Sequence, residues 1–250
     1  MSNRVRDHNE EFMRLLATQE DLDDELQQCA DDTGPFGMSI RHPLVYSICH
    51  SPQMNAFVNA QLKQKQEAVD RAEREEDWTS YIYLHERPYR LDAFNEICWK
   101  LEPRIYWELL GDVWVDSENI FQNREEWRDL LEFSDGCHME DRMYMSSEED
   151  RKVFTLPPEK GGLLPETVIH RGYRHEDGLD GFSWTLDKPR AKWFAKRFPH
   201  QEGVATVATG KVKREHVLAY HTGRGELEIV VLPEHVFDVS VEEFEGDDAE

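Results

Sequence analysis

At residues 166–198 the sequence is ETVIHRGYRHEDGLDGFSWTLDKPRAKWFAKRF, and its pattern of apolar residues changes along this stretch. Alternation of polar and apolar residues predicts strands at 166–173 and 181–185, because successive side chains of a strand point to opposite faces. Residues 187–198 predict one helix that interrupts the strands. The stretch therefore predicts part of a sheet with a single helix inserted into it.

The strand pattern continues to the end of the chain. Glycines become frequent after the Leu-Pro-Pro run at 156–158, and the hydrophobic period shortens to two. Further strands are predicted at 203–213, 215–221, 226–232 and 236–244. Only the last residues depart from this pattern, because 242–250 are predominantly acidic and predict a solvated tail.

The first part of the chain has a helical character instead. Helices are predicted within 1–35 and at 51–77, 92–110 and 117–133, with Ser117 as the cap of the last one. The sequence therefore predicts an α+β protein in which a helical N-terminal region packs on a split, mixed or antiparallel β core. The predicted segments are a helical region at 1–155, a β core at 156–241 and the acidic tail at 242–250.

Composition limits the classes of function. The 250 residues carry a formal net charge of −23, which repels polyanions and argues against a diffuse basic surface for nucleic acid, while a local basic patch stays open. The four cysteines are scattered, with no Cys-x-x-Cys pair, so neither a zinc site nor a disulfide framework is expected. No signal peptide or membrane span is recognisable, and a cytoplasmic protein is the expectation.

Three polar side chains lie on different predicted strands: Arg171, Ser183 and Glu228. An Arg pairs with phosphate through two parallel hydrogen bonds. A hydroxyl can hold a carboxylate, and the carboxylate can stabilise a sugar cation of the oxocarbenium type. If the three strands are neighbours, this set would line one cleft suited to a dinucleotide with a cleavable glycosidic bond.

Glu226 and Glu228 form a Glu-x-Glu pair at the start of an apolar run. In a strand both side chains would point to the same face, where the two charges repel and raise at least one pKa. Such a pair is tolerated best at a functional site, and a solvated strand end is the plainer explanation. The pattern recurs at 73–75 and 243–245, as chance allows in a chain with 52 acidic residues.

The order of these motifs resembles the mono-ADP-ribosyltransferase superfamily, in its Arg-Ser-Glu subclass, over residues 165–240. HRG at 170–172 corresponds to the first motif, an Arg-Gly pair after an aromatic residue or His. SWT at 183–185 corresponds to the Ser-Thr-Ser motif, with Trp in place of a small residue and Thr in place of Ser. ELEIVVLP at 226–233 corresponds to Glu-x-Glu opening an apolar strand that ends near Pro.

The resemblance implies a β core of ADP-ribosyltransferase type that takes NAD as its substrate and needs no metal. Arg171 would bind the phosphates and ribose of NAD, and the backbone of Gly172 would hydrogen-bond the nicotinamide amide. The implied cofactor-binding residues are Arg171, Gly172, Ser183 and Thr185.

The implied catalytic residues are Glu228, Glu226 and Ser183. Ser183 would orient Glu228, which would hydrogen-bond the nicotinamide ribose and stabilise the cation as nicotinamide leaves. Glu226 would position or deprotonate the acceptor, and the loop at 221–225 is where the family recognises targets. Glu226, rather than Gln, favours an arginine side chain of a protein as the acceptor, with a nucleic-acid base as the alternative. A toxin or phage-conflict role, with an inhibitory partner and no membrane, would fit such an enzyme.

Other interpretations stay open. Asp112, Asp116 and Glu118 could be metal ligands, but a helix entry with caps and neighbouring pairs is favoured, and the region could also close the NAD cleft. The histidines show no metal-ligand spacing. Two rival functions are a glycohydrolase that destroys NAD without a specific acceptor and a catalytically inactive transferase fold that only binds a partner.

Overall fold

The computed structural model describes residues 13–15, 18–35, 37–118, 120–133, 139–197 and 202–244. The chain divides into two compact units, one up to Lys100 and one from Leu101 onwards. The predicted division between 155 and 156 therefore falls inside the second unit. The helix predictions for the first residues of the chain lie largely outside the described residues.

From residue 18 onwards, the described part of the first unit combines four helices with a small sheet. Its helices are α1 (Asp24–Gln28), α2 (Asn55–Arg74), α3 (Trp78–Leu84) and α4 (Arg90–Ile97). Its strands, β1 (Ala30–Asp31), β2 (Ser39–His42) and β3 (Val45–Ser47), pair antiparallel in the order β1-β2-β3. These strands were not predicted, because two to four residues are too few to establish an alternating pattern.

Apolar side chains from α1, the sheet and α2 form the core of the first unit. The buried residues of this cluster are Leu26, Ile40, Leu44, Val45, Val58 and Leu62. Val58 and Leu62 are four residues apart on α2 and therefore lie on one face of that helix. The long, mostly polar helix predicted at 51–77 is thus confirmed in type and shortened at both ends.

Five α-helices lie within the described residues of the second unit. They are α5 (Pro103–Asp116), α6 (Arg124–Glu132), α7 (Met139–Arg142), α8 (Glu148–Thr155) and α9 (Lys188–Lys196). The single helix predicted at 92–110 is wrong, because α4 ends at Ile97 and α5 begins with Pro103. Pro is favoured at the first position of a helix, where its missing N–H costs no hydrogen bond.

Ser117 does not start the next helix as predicted. Its hydroxyl donates to the carbonyl of Val113, 2.7 Å away, so Ser117 terminates α5. The helix α6 begins only at Arg124. The described residues 117, 118 and 120–123 consequently connect α5 to α6.

A six-stranded sheet forms the other layer of the second unit. Its strands are β4 (Glu166–Tyr173), β5 (Ser183–Thr185), β6 (Ala205–Lys213), β7 (Ala219–His221), β8 (Glu228–Val230) and β9 (Val236–Phe244). All neighbours pair antiparallel, in the order β7-β8-β5-β4-β6-β9. The α+β class is therefore confirmed, and the sheet is antiparallel rather than mixed.

The strand bounds match the predictions at β4 and β9 and differ elsewhere. The predicted strand at 226–232 begins only at Glu228, because Leu227 has a left-handed backbone with φ 46°. The predicted acidic tail is wrong at its first residues, because 242–244 are the last residues of β9 and pair with β6. Residues 245–250 lie outside the described residues.

The pairing of β4 differs greatly between its two neighbours in the sheet. All eight residues of β4 pair with β6, but a single register pair, His170 with Thr185, joins β4 to β5. Beyond His170 the two strands separate, and a 3₁₀ segment at Glu176–Asp180 intervenes before β5 begins. This gap in the sheet lies between Arg171 on β4 and Ser183 on β5.

The core of the second unit fills the side of the sheet that carries Ile169, Trp184 and Ile229. Helix α5 buries a broad apolar face that includes Tyr106, Trp107 and Leu110. None of the described helices has the length and apolar character needed to cross a membrane.

We expect Gly111→Ala to destabilise the second unit, although Ala is normally favoured over Gly inside a helix. An added Cβ would lie 2.1 Å from the carbonyl oxygen of Met145, which packs against α5. Overpacking of this kind costs about 1–3 kcal/mol of the free energy of unfolding. Denaturant titration followed by tryptophan fluorescence measures the loss.

Gly223→Ala is the matched control, because its added Cβ would meet no atom within 4 Å. A higher denaturation midpoint for Gly111→Ala than for the parent protein would contradict the close approach of Met145.

Candidate functional site

Neighbouring strands bring Ser183 and Glu228 together. In the register of β5 and β8, Thr185 is opposite Glu228 and Ser183 is opposite Val230. Opposed residues and residues two apart share a face of an antiparallel pair, so Ser183, Thr185 and Glu228 lie on one side. The hydroxyl of Ser183 donates a short hydrogen bond to Oε1 of Glu228.

A tryptophan from the helical layer completes the environment of this carboxylate. Nε1 of Trp114, on α5, donates to the same Oε1 of Glu228 at 3.3 Å. The indole is buried and packs edge-on against Trp127 of α6, with ring centroids 5.0 Å apart. Two donors on one oxygen fix the orientation of the carboxylate, which leaves Oε2 directed elsewhere.

The sequence did not single out Trp114 as a site residue. It did suggest that the region around 111–119 could close a cleft from the helical side. The contact to Glu228 is consistent with that suggestion, but only the three-dimensional packing identifies the residue. A buried Trp in an apolar helix has no sequence signal that separates a core residue from a hydrogen-bond donor.

Burial raises the pKa of Glu228 above its ordinary value. The hydrogen bonds from Ser183 and Trp114 oppose this effect because they stabilise the anion. The negative charge of Glu226 adds to the increase, and the positive charge of Arg171 reduces it. Removal from water has the largest influence, so the carboxyl gains a proton more readily than an exposed glutamate does.

Arg171 braces the turn that leads into β5. Its Nε donates to the carbonyl of Gly178 at 2.6 Å, and its Nη1 donates to the carbonyl of Ser183 at 2.5 Å. Gly181 has no side chain to obstruct this arrangement, and an added Cβ there would lie 1.9 Å from Nη2. The guanidinium therefore holds the backbone of the very residue whose hydroxyl orients Glu228.

Burial also lowers the pKa of Arg171, to about 10, while Glu228 and Tyr173 act in the opposite direction. The side chain is therefore still positively charged at neutral pH. A guanidinium has five N–H donors, of which two are directed to these carbonyls. Arg171 can hold the turn and still offer charge and N–H groups to a ligand.

A cavity of about 300 Å³ lies beside Arg171, at the end of β4, and its lining does not include Ser183 or Glu228. Its lining residues are Arg171, Gly172, Tyr173, Arg174, His175, Gly178, Glu118, Phe121, Gln122 and Phe194. The connection between α5 and α6 contributes Phe121, whose ring stacks on His175 with centroids 5.8 Å apart. This volume is at the lower end of the range for small-molecule sites.

Gly172 lines this cavity, and the close packing of α9 on β4 requires a glycine at this position. Helix α9 crosses β4 so closely that a Cβ on Gly172 would lie 1.8 Å from the carbonyl of Ala191. The predicted role of Gly172 in cofactor binding stays a prediction. What the structure adds is that any side chain at this position would push α9 away from the sheet.

Comparisons with known proteins identify no relative. No protein-family model matches the chain, and no curated protein sequence or solved structure is significantly similar to it. The assignment of a function therefore depends on the site itself.

Glu226 does not share a strand face with Glu228, so this prediction is wrong. Glu226 follows a 3₁₀ turn at Gly223–Gly225 and has helical backbone angles, and the left-handed Leu227 then redirects the chain into β8. The side chain of Glu226 forms an ion pair with Arg190 of α9, at 3.1 Å. The two glutamates are nevertheless close enough for the charge of Glu226 to influence Glu228.

Thr185 secures the backbone of Glu226 and starts the following helix. Its hydroxyl donates to the carbonyl of Glu226 at 2.5 Å and accepts from the N–H of Asp187 at 3.0 Å. The role predicted for Thr185 in cofactor binding stays a prediction. Its observed contacts hold the loop before β8 against the start of α9.

His221 is a buried titratable group that sequence reasoning placed only in a target-recognition loop. It is the last residue of β7, opposite Glu228 in register, and burial lowers its pKa to about 4. The imidazole is therefore uncharged at neutral pH and adds no positive charge beside the carboxylate.

Among the residues that the structure describes, no group of three or more His, Cys, Asp or Glu side chains is arranged to hold a metal ion. Asp112 has a raised pKa, chiefly because of burial and additionally because of Glu108. Activity without a metal stays a prediction.

We expect Glu228→Gln to stabilise the protein at neutral pH. The pKa of Glu228 is raised in the folded state. Ionisation of Glu228 therefore lowers the free energy of unfolding as the pH rises from the pKa of the unfolded chain, about 4.3, through the pKa of the folded protein. Gln keeps an oxygen for Ser183 and Trp114 but cannot ionise. Melting temperatures of variant and parent should therefore coincide below this pH window, diverge across it and stay apart above it.

Glu226→Gln provides the control, because Glu226 is ion-paired and should gain no comparable stability from losing its charge. Parallel melting temperatures for Glu228→Gln and the parent protein across this range would show that the carboxyl carries no burial penalty.

Proposed function

We propose that this protein is an NAD-dependent mono-ADP-ribosyltransferase with a β core of ADP-ribosyltransferase type. The observation that carries the proposal is the hydrogen bond from Ser183 to Glu228 beside the guanidinium of Arg171. These residues come from three strands and are 12 and 45 positions apart in the chain. The contacts from Arg171 to the backbone of Ser183, and from the hydroxyl of Ser183 to Glu228, support a shared site.

The chemistry of the set suits cleavage of the bond between nicotinamide and ribose. As nicotinamide leaves, positive charge develops on the ribose, and an oriented carboxylate in a site shielded from water stabilises it strongly. Ser183 and Trp114 would hold Oε1 of Glu228 and direct Oε2 towards the sugar. Arg171 would supply positive charge to the phosphates through its remaining donors.

The reaction requires Glu228 in its ionised form, although burial favours the protonated form. Arg171 and the two hydrogen bonds lower the pKa and favour ionisation. A developing cation on the substrate would favour it further. We therefore expect the rate of NAD cleavage to fall as the pH decreases through the pKa of Glu228.

The acceptor would be a macromolecule, and the net charge of −23 favours a basic protein surface over a nucleic acid. Glu226 already holds one guanidinium, that of Arg190, which supports an arginine side chain as the acceptor. The decisive test is incubation of labelled NAD and the purified protein with a lysate, followed by digestion with protease or nuclease. Label released by protease indicates a protein acceptor.

A glycohydrolase is the second candidate, and the same ion pair is the observation that favours it. If Arg190 keeps Glu226 occupied, water would be the only effective acceptor. Release of nicotinamide without labelling of any lysate component would decide for this activity. An inactive binding protein would release no nicotinamide at all.

Glu228→Gln should reduce NAD cleavage by roughly 100-fold or more, because it removes the charge that stabilises the cation. Released nicotinamide measures this directly. Glu234→Gln is the matched control, because it neutralises a carboxylate of the same unit that pairs with Arg128 instead. Near-parental cleavage by Glu228→Gln would remove Glu228 from the catalytic role.

Glu226→Ala should reduce transfer to the acceptor far more than it reduces hydrolysis of NAD. An attacking guanidinium must lose a proton, and the partly exposed carboxylate of Glu226 can take it, whereas hydrolysis depends chiefly on Glu228. Labelled acceptor and released nicotinamide can be measured on one preparation. A parallel fall of both activities would assign Glu226 to the cleavage step and withdraw the support for an arginine acceptor.

A further inference from the structure

The ion pair between Arg190 and Glu226 joins the start of α9 to the loop before β8. Nη2 of Arg190 lies 3.1 Å from Oε1 of Glu226. The pair is only partly shielded, since about a quarter of each side chain is exposed, 27% for Arg190 and 24% for Glu226. Ion pairs with this degree of exposure are weakly held, so a competing cation can displace one partner.

Aromatic rings define the position of the guanidinium in this pair. Arg190 lies over the ring of Trp193, 4.6 Å from its centroid, and 5.3 Å from that of Phe194. Aromatic faces attract cations, and guanidinium groups stack on them particularly well. The carboxylate and the two rings together therefore form a site with the chemistry of a guanidinium receptor.

The two partners differ in how firmly the fold holds them. The backbone carbonyl of Glu226 accepts from Thr185, and the neighbouring Leu227 accepts from the N–H of Leu186. Arg190, by contrast, reaches Glu226 through a long side chain with many rotatable bonds. The guanidinium of Arg190 can therefore leave Glu226 by a change of rotamer, without a change in the backbone of either element.

We propose that Arg190 is an internal occupant of the acceptor site, which closes it until a cationic acceptor displaces the guanidinium. This inference rests on the proposed function and adds a regulatory residue to it. While Arg190 is paired, the negative charge of Glu226 is neutralised and unavailable as a proton acceptor. Hydrolysis by water is then the basal reaction.

Displacement of Arg190 would permit the transfer step. The bond between the ribose carbon and nicotinamide breaks, and its electron pair leaves with nicotinamide. A lone pair of the acceptor nitrogen forms the new bond to that carbon, and the proton lost by the acceptor passes to the carboxylate of Glu226. Each transfer therefore needs Glu226 free of its internal partner.

The first test compares Arg190→Ala and Arg190→Gln with the parent protein, using agmatine as a small guanidinium acceptor. Both variants should raise the ratio of transfer to hydrolysis on the order of three- to fivefold, because an exposed ion pair competes to about that extent. Lys192→Ala is the matched control, since it removes a cation of the same helix that lies over Phe244. It should leave the ratio unchanged.

A second test needs no catalysis and so separates this inference from the proposed function. Ethylguanidinium should bind Arg190→Ala in calorimetry more tightly than it binds the parent protein, because the variant leaves the receptor vacant. The double variant Arg190→Ala, Glu226→Ala should lose that gain. If the parent protein cleaves no NAD but this binding pattern is found, the function fails and the receptor site stands.

Two results would overturn the inference. Equal binding of ethylguanidinium by Arg190→Ala and the parent protein would show that Arg190 occupies no receptor site. A ratio of transfer to hydrolysis that is unchanged or lower in both Arg190 variants would show that the ion pair only tethers the loop to α9.

Discussion

A carboxyl group that the fold buries at the end of a strand is the constraint on which the second unit depends. Removing Glu228 from water penalises its charge, and the surrounding structure has to offset that penalty. Ser183 and Trp114 donate to one of its oxygens, and Arg171 contributes positive charge. Each of these residues belongs to a different element, so the sheet and the helical layer must both be in place before the carboxylate is accommodated.

Arg171 both contributes positive charge near Glu228 and supports the sheet where β4 and β5 separate. Because β4 and β5 share one register pair, the backbone between them would otherwise be left without ladder partners. The guanidinium bridges the gap by donating to two backbone carbonyls, one of them that of Ser183. Arg171 and Gly178, which form one of these two hydrogen bonds, also line the cavity, so the bracing contact lies at its wall.

Sequence patterns predicted the features that depend on local alternation and missed those that depend on packing. The bounds of β4 and β9 and the α+β class follow from hydrophobic period and are confirmed. The contact of Ser183 with Glu228 was also predicted, but through a family resemblance rather than periodicity. The sequence did not indicate Trp114 as a site residue, because its hydrogen-bond acceptor, Glu228, is 114 positions away. Glu226 was wrongly predicted to share a strand face with Glu228, because no neighbouring residue indicates that Leu227 is left-handed.

The left-handed backbone of Leu227 places Glu226 and Glu228 in different environments, so the two carboxylates can differ in chemistry. On one strand face Glu226 and Glu228 would share an environment, and each would raise the pKa of the other. The turn at Leu227 sends Glu228 into the buried layer and Glu226 towards α9, where Arg190 neutralises it. A single backbone angle thus separates a buried group suited to stabilising a cation from a partly exposed group suited to accepting a proton. Two such roles in one reaction require that separation, because groups with the same environment would titrate together.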